Sequence, residues 1–216
     1  MLRILLILPF LHLSLFAAPE PVVVPGHFDL KNATDPVDGK KVKKGLHNDW
    51  MGVRVHFANF KNIETFRKDA KKYVGKLGIA LVEEKGKKPV LDLQNKKCPV
   101  KPSKEAEAKR FVEENGVRVR VCCGKCAKRV KQHWDKVAKP LGYEWVPPVI
   151  DLRNTKCPVT GDKCYPSAPI WFDVDGIRIR VCCDHCAEEI PENKERVFRA
   201  LDVDPAKLKA RLIPSK

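Results

Sequence analysis

The chain lacks the residue patterns that announce common catalytic chemistry. Its 216 residues hold no Ser-His-Asp order, no paired-carboxylate signal and no phosphate-cradling glycine loop, so no enzyme activity is expected. Covalent haem needs CxxCH, and the alanines after the last cysteine of each cluster, Ala127 and Ala187, remove that option. Long apolar runs are also missing: the run from Ile4 to Phe16 is shorter than the roughly 20 residues of a membrane-spanning helix, and no other segment approaches it. Acidic residues are few, 27 against 42 lysines and arginines, which leaves a formal net charge of +15. That charge favours anionic partners, an envelope surface among them. Aromatic residues, at 7%, do not interleave with the lysines, so a solvated basic surface is expected and no specific nucleic-acid site.

The short apolar run has its own meaning. Met1-Leu2-Arg3, the run itself and then Ala17-Ala18-Pro19 follow the order of a secretory signal peptide, predicted over 1–18. The protein is therefore expected to be exported, to a periplasm or outside the cell. No cysteine lies near the cut, which speaks against lipidation there. An oxidising compartment favours disulfides, whereas a cytosolic setting would favour thiolate metal sites. The cysteines number nine, so complete pairing within one chain is impossible and at least one thiol is left over.

The cysteines belong to an internal repeat. One phrase occurs three times, as Asp29-Leu30-Lys31-Asn32-Ala33-Thr34-Asp35-Pro36-Val37, as Asp92-Leu93-Gln94-Asn95-Lys96-Lys97-Cys98-Pro99-Val100 and as Asp151-Leu152-Arg153-Asn154-Thr155-Lys156-Cys157-Pro158-Val159. Each is followed by a glycine turn and an apolar strand. After that strand the second and third copies read Cys122-Cys123-Gly124-Lys125-Cys126 and Cys182-Cys183-Asp184-His185-Cys186, while the first reads Ala58-Asn59-Phe60-Lys61-Asn62. A spacing of about 60 residues predicts three small modules, over 27–80, 90–145 and 149–205, with an extended lead-in before them and a tail helix at 206–216 capped by Asp204-Pro205. Units of this size bury little apolar surface and commonly need a metal, disulfides or neighbours.

Local chemistry places the cysteines. Asn115-Gly116 and Asp175-Gly176 sit between apolar runs and predict tight β-hairpins, with a weaker version at Met51-Gly52. A helix follows each second strand, read from Val130, Trp134, Val137 and Leu141 in the second copy and from Ile63, Phe66, Tyr73 and Leu77 in the first. In the third copy Pro191 should break it. The expected fold class is α+β, three tandem treble-clef-like modules of zinc knuckle, β-hairpin and α-helix. In that layout the hairpin brings a cysteine turn to a helix start, where thiolates converge on one ion.

The residues resemble the YHS and TRASH domains, small metal-binding modules whose turn reads Asp-Pro-Val-Cys-Gly. Asp35-Pro36-Val37-Asp38-Gly39 matches that turn except at its cysteine, while the other copies move a cysteine to the Asp35 position. The resemblance implies Cys98, Cys122 and Cys126 as metal ligands in the second copy and Cys157, Cys182 and Cys186 in the third, with Cys123 and Cys183 candidates for a fourth. Strand alternation gives a competing reading of Cys123, which continues the apolar face of Val117, Val119 and Val121 and would then be core. Cys164 stands as a fourth ligand or a disulfide partner. His185 and His133 are expected on the surface, and His56 outside any site. Zinc and Cu(I) suit clustered thiolates. A disulfide-stapled structural protein with a basic surface and a thiol redox protein are the alternatives.

Overall fold

The computed structural model describes residues 19–164 and 170–213, so the expected signal peptide lies outside the described residues. The fold is mixed α+β, with small sheets and several helices. In chain order the elements are β1 (Val22–Val24), β2 (His27–Asp29), β3 (His47–Trp50), β4 (Val53–His56), α1 (Phe60–Lys68), β5 (Ala80–Val82), β6 (Val90–Asp92), β7 (Glu107–Glu114) and β8 (Val117–Val121). They continue with α2 (Gly124–Gln132), β9 (Glu144–Val146), β10 (Val149–Asp151), β11 (Ile170–Val174), β12 (Ile177–Val181), α3 (Asp184–Glu189), α4 (Lys194–Ala200) and α5 (Pro205–Leu212). Among the described residues, no helix is long and apolar enough to cross a membrane.

All three expected hairpins form. Met51, Asn115 and Asp175 adopt φ of 49°, 50° and 50°, each followed by a glycine at positive φ, the geometry that two-residue hairpin turns require. In each copy the strand that opens the repeated phrase (β2, β6, β10) runs parallel to the second hairpin strand (β4, β8, β12). A fourth strand closes the other edge, and it comes from elsewhere in the chain. β9 pairs with β2, β5 pairs with β6, and the lead-in strand β1 pairs with β10, all antiparallel. The first two copies thus exchange their closing strands, which repeat spacing alone did not foretell.

The exchange has a packing counterpart. One apolar core contains residues of both the first and second copies, and a second core belongs to the third. Phe28 in β2 packs on Trp134 at 5.3 Å and on Trp145 of β9 at 5.6 Å, both from the second copy. The hairpin turns of these copies also meet: a Cβ on Gly52 would lie 2.1 Å from the Asn115 carbonyl oxygen, so only glycine fits.

The helices are shorter than the apolar stripes suggested. α2 stops at Gln132, and Trp134–Val137 and Lys139–Leu141 are single 3₁₀ turns. The chain leaves the helix at His133, whose φ of −138° is not helical, and the break turns Trp134 onto Phe28. The first copy repeats this with turns at Ala70–Lys72 and Val74–Leu77. In the third copy the chain breaks around Pro191, as expected, and restarts as α4. Asp204 caps α5 by accepting from the N–H groups of Ala206 and Lys207.

The first and third copies are joined by charge. Asp49 and Arg54 in one hairpin face Asp173 and Arg178 at the equivalent positions of the other. Arg54 Nε meets Asp49 Oδ1 at 2.8 Å and its Nη2 meets Asp173 Oδ2 at 2.5 Å, while Arg178 bonds both carboxylates in return. Burial opposes ionisation of Asp49, but His27, Arg54 and Arg178 hold its carboxyl well below the usual carboxylate range.

Candidate metal centres

The repeated phrase is a clamp. In each copy its Asp accepts from the N–H two residues on, at 2.8 Å, holding Lys31, Gln94 and Arg153 in left-handed backbone. Its Asn then ties turn to strand. Asn95 Nδ2 donates to the carbonyls of Lys97 and Arg120, both at 2.8 Å, and its Oδ1 accepts from the Arg120 N–H at 2.9 Å. Asn154 repeats this with Lys156 and Arg180, and Asn32 with Thr34 and His56. The residue three positions after each Asn is therefore fixed beside the end of the second hairpin strand.

In the second and third copies that residue is a cysteine. The sulfurs of Cys98, Cys122 and Cys126 all lie within 4.8 Å of one another, and so do those of Cys157, Cys182 and Cys186. Cys122 Sγ is 3.7 Å from Cys126 Sγ, and Cys182 Sγ is 3.6 Å from Cys186 Sγ. Tetrahedral coordination with metal–sulfur bonds of about 2.3 Å sets sulfurs roughly 3.8 Å apart, so each trio is geometrically able to hold an ion. The turn and helix members are almost fully buried, while Cys122 and Cys182 are half-buried.

Electrostatics within each cluster are strained by like charge. Burial works against the Cys98 and Cys157 thiolates, but backbone N–H groups outweigh it, those of Cys122, Lys101 and Val100 for Cys98 and of Thr160, Cys182 and Val159 for Cys157. Cys98 is lowered and Cys157 falls to about 7. Cys126 moves the other way, to about 12, because it is buried and shares its surroundings with the other three thiols; Cys186 is raised for the same reasons. Within each trio the turn thiolate is thus favoured and the strand-end and helix thiolates are penalised, a conflict that a cation relieves.

The remaining candidates fall at the edge or outside. Cys123 and Cys183 are the N-cap residues of α2 and α3, half-buried, with sulfurs 3.3 and 3.4 Å from Cys126 and Cys186. Neither belongs to the mutually close trios. The alternation that would have made Cys123 core ends with β8 at Val121, because the next residues turn into the helix. Hydrogen bonding to Cys126, from its backbone first and then its thiol, lowers Cys123 to about 7. Cys164 is buried outside the third-copy trio, and burial together with nearby Cys157 and Cys182 pushes it up to about 11. None of the nine cysteines is joined in a disulfide. His185 is exposed beside Glu189 at 3.2 Å, His133 is exposed, and His56 bonds Asp29 at 2.7 Å.

The first copy fills the same positions without sulfur. Asp35, Ala58, Asn59 and Asn62 stand where Cys98, Cys122, Cys123 and Cys126 stand in the second. Asp35 Oδ2 accepts from the Ala58 N–H at 2.7 Å and from Asn62 Nδ2 at 2.8 Å, and Oδ1 accepts from the Val37 N–H at 2.8 Å. Asn59 caps α1 through the Asn62 N–H at 2.9 Å. A carboxylate–amide pair thereby bridges turn and helix, the two elements that the thiols bring together in the other copies. The sequence showed that the thiols are replaced together, but not that Asp35 and Asn62 bond to each other in their place. Comparison of the chain with protein-family models, curated proteins and solved structures finds no match.

Proposed function

We propose that this is an exported metal-binding protein. It would consist of three tandem treble-clef-like modules of the YHS/TRASH kind, two of which hold zinc or Cu(I). The ligands are Cys98, Cys122 and Cys126 with Cys123 as fourth, and Cys157, Cys182 and Cys186 with Cys183 as fourth. The observation that carries the reading is the joint behaviour of three positions: where the turn residue is cysteine the strand-end and helix residues are cysteines within 4.8 Å, and where it is Asp35 they are a hydrogen-bonded alanine and asparagine. Scattered structural cysteines would have no reason to change together. Soft or borderline ions fit a donor set made of thiolates. Export rests on the order of residues in 1–18.

Elemental analysis of protein purified from its native compartment tests this reading. Metal should be present, and Cys98→Ser combined with Cys157→Ser should reduce it sharply. Protein without metal, or with the same content after both substitutions, defeats the proposal. The 3.3 and 3.4 Å sulfur separations within the two CxxC pairs favour disulfide formation as a second reading. Thiol titration under denaturing, nonreducing conditions separates the two: a metal site leaves most thiols titratable after chelation, a disulfide framework about one.

A further inference from the structure

The two thiol clusters share ligands and geometry but not surroundings. Around the second-copy cluster lie Lys101 in the cysteine turn, Arg110 bonded to the Cys122 carbonyl at 2.9 Å, and Lys125, Lys128 and Arg129 exposed on α2. At matched positions the third copy has Thr160, Ile170, His185, Glu188 and Glu189, and Asp184 replaces Gly124. Thr160 Oγ1 stands 3.4 Å from Cys182 Sγ, where no cation is offered. A single lysine, Lys43, serves both Asp184 at 3.3 Å and Glu188 at 2.8 Å, so the acidic excess on α3 is only partly offset.

We infer that the second-copy cluster is the retained site and the third-copy cluster the exchange site, a division that rests on the metal-binding reading above. The argument is Coulombic. Three or four thiolates around an ion of charge +1 or +2 leave a net negative centre, which the second-copy cations stabilise, Arg110 less than the others because Glu107 pairs with it at 2.8 Å, and which three carboxylates destabilise in the third copy. Packing agrees with charge. Each helix puts a cysteine into an apolar core, but α2 has nine residues and α3 six. Its Asp184, Ala187 and Glu188 border a cavity of about 420 Å³ that separates it from the first copy. The third-copy cluster therefore has both a weaker hold on its ion and room to move when the ion leaves.

Two chains isolate the sites: Cys157→Ser/Cys186→Ser keeps the second-copy cluster, and Cys98→Ser/Cys126→Ser keeps the third. Each is titrated at equilibrium with Zn²⁺ against the chelator 4-(2-pyridylazo)resorcinol, whose own affinity for Zn²⁺ is calibrated at each salt concentration. The second-copy cluster should bind at least about tenfold more tightly at low salt, and the gap should shrink as salt is added. Because cysteine variants can misfold, the same titration is run on the full chain carrying Lys128→Glu/Arg129→Glu or Glu188→Gln/Glu189→Gln. The first pair should weaken the tighter step several-fold, and the second pair should strengthen the weaker one. Equal affinities, a tighter third-copy cluster, or steps unmoved by these charge changes overturn the division. Absence of both Zn²⁺ and Cu(I) binding by the full chain overturns the metal-binding reading itself, and the division with it; where only Cu(I) binds, the same titrations are run with Cu(I).

Discussion

If the first copy is a metal site rewritten in hydrogen bonds, it should be possible to write it back. Asp35→Cys, Ala58→Cys, Asn59→Cys and Asn62→Cys together restore the sulfur positions of the second copy. The cost comes first. Asp35 accepts three hydrogen bonds of 2.7 to 2.8 Å on a carboxylate that is 1% exposed, and losing them should destabilise the metal-free protein by about 4 kcal/mol, at roughly 1.3 kcal/mol each. For a chain of this size that lowers the melting temperature by roughly 8–16 °C. The return is set by linkage: free metal at 1,000 times the Kd adds about 4.1 kcal/mol, which offsets the loss. Calorimetry with and without chelator should therefore show a large metal-dependent recovery in the variant, and elemental analysis should show one more ion per chain than in the parent. Asp35→Ala alone should share the destabilisation and gain no ion. A folded four-cysteine variant with unchanged metal content would refute the equivalence of the three sites.

Four further perturbations reach other parts of the structure. Asn154→Ala removes all three bonds of the third-copy clamp and should cost about 2–4 kcal/mol in urea unfolding while loosening metal at that cluster. Asp173→Asn leaves Arg54 and Arg178 facing one carboxylate, and should cost about 3–5 kcal/mol in the same assay, more than the sum expected for exposed pairs. Gly52→Ala forces a Cβ onto the Asn115 oxygen at positive φ and should lower the melting temperature more than Gly116→Ala, whose nearest contact is 3.1 Å. His47 is held neutral by burial, aided by Arg54 and opposed by Asp49 and Asp173, with its pKa lowered from 6.5 to about 4. The unfolded chain then binds the extra proton between those values, so chelator-treated protein should lose stability as pH falls from 6.5 to 4, by about 3 kcal/mol, and His47→Phe should flatten that span.

The parts legible in the sequence were those written in local chemistry. Asn115-Gly116 and Asp175-Gly176 specified their turns, Pro191 its break and Asp204-Pro205 its helix start, because each acts on the backbone within a few residues. Comparing the copies also picked out the cysteines that the structure brings together. What stayed hidden depends on distant partners. The Asn of the repeated phrase was read as a marker, and its bonds to Arg120 and Arg180 across the module give it its role. The stripe through Trp134 and Val137 was read as one helix because core burial was right and continuity was not: both side chains are buried, on a 3₁₀ turn. His27 and His47, buried against the charged junction, carried no sequence signal at all.

The borrowed edge strands also dictate an order of assembly. β5 meets β6 almost as soon as both exist, but β2 must wait for β9, and β1 for β10, with Val22 finally opposite Asp151. The first strand of the described chain is thus among the last to be sealed. A protein that emerges N-terminus first would hold that segment extended and unpaired until the third copy has appeared, and such long-range closure is slow. None of the three copies can be cut out alone with a finished sheet: the first two complete each other, and the third needs the lead-in strand that precedes both.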